Sequence, residues 1–207
     1  MLNLTEIFYS LQGESSYAGI PCIFIRLAGC NLRCKYCDTT YSYNTSYTLE
    51  IPEILQEVQK YEPVKLVELT GGEPLLQQEI YTLMVDLQKA EYTVLLETNG
   101  SVSLAKVPEY VIKIVDVKCP SSGFPDSFVL SNIDFLTCKD ELKFVISDER
   151  DYKWAKKFLQ ANNLKHHNIL FSCVADSMNP NELAELILKD KLNVKLQIQL
   201  HKILDLK

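Results

Sequence analysis

Short apolar runs and longer amphipathic stretches alternate along the 207-residue chain. The runs 22–27, 64–69, 93–96, 111–117, 142–146, 169–173 and 194–200 have the length and side-chain content of buried strands. The stretches 49–61, 78–90, 150–162 and 180–190 carry apolar residues at helical spacing. Strands alternating with helices predict right-handed βαβ crossovers and a parallel sheet. About six parallel strands are too few for a closed eight-fold barrel but enough for a curved, partly open one. The pattern therefore predicts an α/β fold, a partial, open TIM-like β/α barrel. One domain is expected over 1–207, since no repeat, low-complexity tract or long linker interrupts it. The loop 119–126, richest in Pro, Ser and Gly, is the one place a boundary could fall, and the strand pattern resumes beyond it.

In such barrels the reactive groups gather at the carboxyl ends of the strands. Cys30-Asn31-Leu32-Arg33-Cys34-Lys35-Tyr36-Cys37 follows the first parallel run, and Thr70-Gly71-Gly72-Glu73-Pro74 follows the second. Glu97-Thr98-Asn99-Gly100 ends the third and Asp116-Val117-Lys118 the fourth. All four polar clusters are thus expected at one mouth.

Three cysteines cannot complete a structural tetrahedral zinc site. They can hold three corners of a 4Fe-4S cube and leave one iron open to a substrate or cofactor. A redox or zinc loop is the plainer reading of the same thiols. The remaining four of the seven cysteines, Cys22, Cys119, Cys138 and Cys173, have wide, irregular spacings and read as buried small hydrophobes. An odd total without local pairing suits a reducing compartment. With no basic-then-apolar leader in Met1-Leu2-Asn3-Leu4 and no run of membrane-spanning length, the chain reads as cytoplasmic, with no membrane partner. A net charge of −6 argues against phosphate-backbone binding, so no nucleic-acid partner is expected.

The C-x3-C-x2-C spacing followed by Asp38 resembles the radical S-adenosylmethionine (SAM) family. That resemblance implies a 4Fe-4S cluster on Cys30, Cys34 and Cys37 whose open iron is chelated by the amino and carboxylate groups of SAM. Tyr36, Cys37 and Asp38 would then lie against SAM. Gly71-Gly72 lets the backbone approach a ligand closely, Pro74 fixes the turn, and Glu73 adds an acceptor. The segment resembles the element of that family that binds the SAM amino group. Gly100 permits a second close approach, although Asn99 or Ser101 could equally be a helix cap. Glu141 and Lys143 are candidates for the SAM ribose or carboxylate; a surface strand alternating charged and apolar residues would look the same.

Leu11-Gln12-Gly13-Glu14, Gly19-Ile20-Pro21, Phe24-Ile25-Arg26-Leu27, Gly29-Cys30-Asn31-Leu32 and the terminal Gln199-Leu200-His201-Lys202 resemble the 7-carboxy-7-deazaguanine synthases of queuosine biosynthesis. Leu200 departs from the threonine common in that family. The resemblance implies a lyase that contracts 6-carboxy-5,6,7,8-tetrahydropterin to 7-carboxy-7-deazaguanine with loss of ammonia. The resemblance further implies that SAM would be cleaved to a 5'-deoxyadenosyl radical that takes hydrogen from substrate carbon 6, and that hydrogen return would regenerate SAM. Leu11, Gln12, Gly13, Glu14, Thr98, His201 and the terminal Lys207 would meet the pterin. Arg26 is a charged fork suited to a carboxylate, or else a surface ion pair. Thr39 would help bind magnesium, which takes few protein oxygens. A flavodoxin- or ferredoxin-like electron donor and a homodimer follow from the resemblance alone. A small glycyl-radical activase shares the cysteine run, and a non-catalytic iron-sulfur or zinc module is the alternative of a different class.

Overall fold

The computed structural model describes residues 1–175 and 177–207. One nine-stranded sheet organises them, in the order β3-β1-β2-β4-β5-β6-β7-β8-β9. Seven strands run parallel: β2 (Pro21–Leu27), β4 (Leu66–Gly71), β5 (Thr93–Thr98), β6 (Ile112–Asp116), β7 (Glu141–Ile146), β8 (Asn168–Cys173) and β9 (Lys195–Gln197). That is one more than about six. The sheet has two separate edges, so the barrel is open as expected.

The hydrophobic pattern did not predict the two antiparallel strands at one edge. β1 (Leu2–Leu11) pairs along β2 with an irregularity between Leu4 and Glu6, and β3 (Tyr47–Leu49) pairs with β1. Only Leu2 and Leu4 of β1 are fully buried, so the period-two signal fades halfway along the strand.

Four helices match the amphipathic stretches: α1 (Ile51–Gln59), α2 (Ile80–Lys89), α3 (Glu149–Ala161) and α4 (Pro180–Asp190). Local chemistry sets their starts. Glu50 and Glu53 form a reciprocal capping box on α1, Asp148 accepts from Asp151 N–H on α3, and Asn179 precedes Pro180 at the first position of α4. A short α5 (Leu200–Ile203) follows β9. The strand-helix alternation lapses at β5 to β6 and β6 to β7, where only 3-10 turns intervene.

The sheet separates two apolar layers. Ile54, Val58, Leu83, Met84, Leu87 and Leu183 from the helices pack on its outer face. Inside the barrel lie Cys22, Phe24, Leu66, Leu95, Ile112 and Ile114, with Phe8 and Tyr17 against them. Each fully buried aliphatic or aromatic side chain contributes on the order of 1.5–3 kcal/mol. Because side chains alternate faces along a strand, the next inward positions after that plug are Arg26, Glu68, Glu97 and Asp116. The inner wall therefore turns from apolar to charged toward the carboxyl ends of the strands.

Candidate active site

That charged rim opens into a cavity of about 510 Å³. Cys30, Cys34, Tyr36, Cys37, Asp38 and Thr39 enter it from the loop after β2, and Gly71 and Gly72 from the end of β4. Thr98 and Lys143 enter from β5 and β7. Leu11, Gln12, Gly13 and Glu14 come from the end of β1, Arg26 from β2, and His201 and Lys207 from the carboxyl-terminal segment. The strand-end rule thus brings the expected clusters together.

Three expected SAM contacts lie elsewhere. Glu73 is fully buried behind the wall, where it accepts from Leu75 N–H at 3.0 Å, Thr98 Oγ1 at 2.8 Å and Asn99 N–H at 2.7 Å. Burial raises its carboxyl above the usual range despite these donors. It ties the Gly-Gly loop to the end of β5 rather than facing a ligand. Gly100, at φ +69°, packs toward Phe128 and Val115 on the outer side. Glu141 shares the inward row of Lys143 but sits one pleat deeper, accepting from Ser16 N–H at 3.1 Å.

The loops meet closely. A Cβ on Gly72 would collide with the Gly29 carbonyl oxygen and lie 2.8 Å from Cys30 Cβ, and one on Gly71 (φ +147°) would lie 2.7 Å from Leu27 N. Asn99 Nδ2 stands 3.8 Å from Cys30 Sγ and donates to Asn31 Oδ1 at 3.1 Å, so the end of β5 steadies the cysteine loop. All three cavity thiols of that loop are free. Burial raises the Cys34 thiol, the Lys118 ammonium opposes the rise, and Cys37 and Cys30 add to it. Lys118 pairs with Asp116 at 2.6 Å; burial alone would lower its pKa, but Asp116 and Cys34 raise it on balance.

Among the described residues no group of three His, Cys, Asp or Glu is drawn together to hold one metal ion. A cube instead takes one thiolate on each of several irons. Three thiols lining one cavity beside a backbone cradle that a Cβ would fill suit such a group. Of the other cysteines, Cys22 and Cys119 are buried as expected, but Cys138 is exposed and Cys173 is only half-buried and lines the cavity. Burial, then Glu182, pushes the Cys173 thiol up to about 11.

The terminal segments are stitched across the mouth. Leu200 N–H donates to the Gly13 carbonyl at 2.9 Å, the His201 ring covers Gly13 where a Cβ would collide, and Gln199 Nε2 donates to Glu14 Oε1 at 2.7 Å. Lys202 pairs with Asp38 at 2.9 Å, and Lys207 pairs with Glu6. Arg26 Nε also binds Glu6, at 2.9 Å, with its guanidinium over the Phe8 and Tyr41 rings. Burial would raise the Glu6 carboxyl, but Lys207 and Arg26 hold it below the usual range. Lys143 bridges Glu14, at 2.8 Å, and Glu97.

Sequence reasoning missed Glu68 and the β8 exit at Ser172, Val174 and Ala175, which line the cavity, and Glu6, which pairs with the cavity residues Arg26 and Lys207. Period-two extrapolation from Leu66 would have found Glu68. Nothing in the local pattern marks Glu6 or the β8 exit.

The family model for the radical SAM superfamily matches residues 24–188. A protein of Koribacter versatilis called 7-carboxy-7-deazaguanine synthase is 47% identical over 97% of this chain and 96% of its own length. One of Chlorobaculum tepidum with the same name is 42% identical over 97% and 93%. The crystal structure of QueE from Escherichia coli superposes with a TM-score of 0.76 at 21% identity, covering 95% of this chain and 93% of that one, which supports the fold. The cysteine loop, the glycine cradle and these full-length likenesses agree: the chain belongs to the radical SAM superfamily and, within it, to the 7-carboxy-7-deazaguanine synthases.

Proposed function

We infer that the protein catalyses the ring contraction of 6-carboxy-5,6,7,8-tetrahydropterin to 7-carboxy-7-deazaguanine with release of ammonia. The supporting observation is the convergence of both termini, through Gly13, Glu14, His201 and Lys207, on the cavity that holds the three cysteines. Cys30, Cys34 and Cys37 would hold a 4Fe-4S cluster, with SAM against Tyr36, Asp38, Gly71 and Gly72. Bound there, cluster and SAM supply one-electron and carbon-radical chemistry; the protein's part is position and seclusion.

Arg26 presents the guanidinium nitrogens not engaged by Glu6 to the substrate carboxylate, and Lys207 adds charge beside it. Gln12 and Glu14 fix the amino-pyrimidinone edge, His201 closes over Gly13, and Thr98, its hydroxyl donated to Glu73, lines the end of β5 against the substrate. Thr39 Oγ1 donates to Asp38 Oδ1 at 3.0 Å, which leaves its lone pairs for a magnesium ion shared with the substrate. The remaining parts of the reading are a flavodoxin- or ferredoxin-like donor, a homodimer and a cytoplasmic setting. No helix among the described residues is long and apolar enough to cross a membrane.

Anaerobic titration of the reconstituted protein with the tetrahydropterin carboxylate tests the reading. Saturable, SAM-dependent binding is expected. Loss of selectivity against a pterin without the carboxylate would reject it.

A further inference from the structure

The charged layer above the apolar plug holds more acid than base. Glu14, Glu68 and Glu97 converge on one lysine, and Lys143 spends its pairing on Glu14 and Glu97. Among the described residues no cation pairs with Glu68, which is 3% exposed yet lines the cavity. Around it stand Cys22 and Arg26 from β2, Glu97 from β5, Lys143 from β7 and Glu14 from the segment after β1. Arg26 is turned to Glu6.

Among the described residues, the one hydrogen bond to the Glu68 side chain comes from a neutral amide. Gln12 Oε1 accepts Glu14 N–H at 2.8 Å, which leaves Gln12 Nε2 to donate to Glu68 Oε2. Oε2 accepts there, and the carbonyl oxygen is the stronger acceptor of a neutral carboxyl, which places a proton on Oε1. An ionised carboxylate buried without a cation is strongly disfavoured. Burial and then the neighbouring Glu97 raise the carboxyl well above its usual range.

We propose that Glu68 serves the cavity as a neutral carboxylic acid: Oε2 holds the Gln12 amide in place, and Oε1–H recognises a hydrogen-bond acceptor, a carbonyl oxygen or imine nitrogen, on the bound heterocycle. Glu68 is thereby a specificity-determining residue. The heterocycle's identity rests on the pterin reading above; the protonation state does not.

Two variants and two readouts separate these claims. Glu68→Gln keeps an oxygen for Gln12 and an N–H for the ligand, so it mimics the neutral acid. Glu68→Leu removes both. In anaerobic titrations of the SAM-loaded holoenzyme with the tetrahydropterin carboxylate, Glu68→Gln should stay within about three-fold of the parent. Glu68→Leu should bind roughly five- to hundred-fold more weakly, the effect of a lost bond and an unpaired Gln12 donor. Parent affinity should fall as alkaline pH ionises Glu68, while Glu68→Gln stays flat.

Infrared difference spectra of parent against Glu68→Gln should show a protonated-carboxyl band only in the parent, at pH 7 and without substrate. If the pterin fails to bind the parent while that band is present, the pterin reading falls and the neutral acid stands. Absence of the band, or equal weakening in Glu68→Gln and Glu68→Leu, would overturn the proposal.

Discussion

Gly72 lies directly against Cys30: a Cβ added to the glycine would stand 2.8 Å from Cys30 Cβ and collide with the carbonyl of the preceding Gly29. Glu73 N–H also donates to that carbonyl at 2.8 Å, so the Gly-Gly loop and the cysteine loop are one packed unit. The close approach explains a glycine here more directly than a turn requirement does. Gly72→Ala should therefore displace Cys30 and lower iron content and SAM cleavage after anaerobic reconstitution. Since the contact is confined to the mouth, thermal unfolding should move much less than cluster loading. Full loading in the variant would show that the loop yields without disturbing Cys30.

Arg26 lines the cavity and is fixed through its Nε by Glu6 and by two aromatic rings, which suits a carboxylate clamp built from its remaining nitrogens. Arg26→Ala should weaken substrate affinity by about 1.5 to 3 kcal/mol, the range for hydrogen bonds to a charged group. That is roughly a ten- to more than hundred-fold change in dissociation constant. Arg26→Lys should recover only part, because the fork is lost. SAM cleavage without substrate should be retained in both variants. Unchanged affinity in Arg26→Ala would return the residue to a structural pair with Glu6.

Thr39 precedes the 3-10 turn Thr40–Tyr43, yet its side chain makes no capping bond. A hydroxyl left out of the local cap is available to an ion. Thr39→Val should lose magnesium stimulation of turnover while binding SAM as the parent does. A variant as responsive to magnesium as the parent would remove Thr39 from the ion's site.

Glu14 connects the two termini, and its protonation should loosen them. Burial would raise its carboxyl, but Lys143 and Gln199 outweigh burial and lower it to about 2 from 4.5. A depressed carboxyl contributes stability above its unfolded value, and that contribution fades as pH falls from about 4.5 toward 2. Hydrogen exchange at the Leu200 amide, corrected for intrinsic rates, should accelerate across that window. Glu14→Gln should show faster exchange already at pH 7. Protection that is the same at pH 7 and pH 3, and the same in the variant, would contradict this linkage.

The open parallel barrel was legible because its strands and helices differ in hydrophobic period, and the shared mouth followed from strand polarity. Depth along a strand was not legible. Glu141 and Lys143 occupy one inward row, separated by two residues, or roughly 6.6 Å at strand rise. Pattern alone assigns both to the same face and leaves open which of them reaches the cavity. Glu73 was misplaced for a related reason: the Gly-Gly turn predicts close approach to a ligand, but not which side the next carboxylate takes. β1 was missed because only Leu2 and Leu4 are fully buried. The bond from Leu200 N–H to Gly13 joins opposite ends of the chain through backbone atoms, so no side-chain pattern marks it.

The ring contraction itself is tested most directly by anaerobic turnover of reconstituted protein with 6-carboxy-5,6,7,8-tetrahydropterin, SAM, magnesium and a low-potential reductant. The predicted result is 7-carboxy-7-deazaguanine and ammonia in equal amounts, over many turnovers per SAM, with SAM recovered intact. Accumulation of 5'-deoxyadenosine with the pterin unchanged would contradict it.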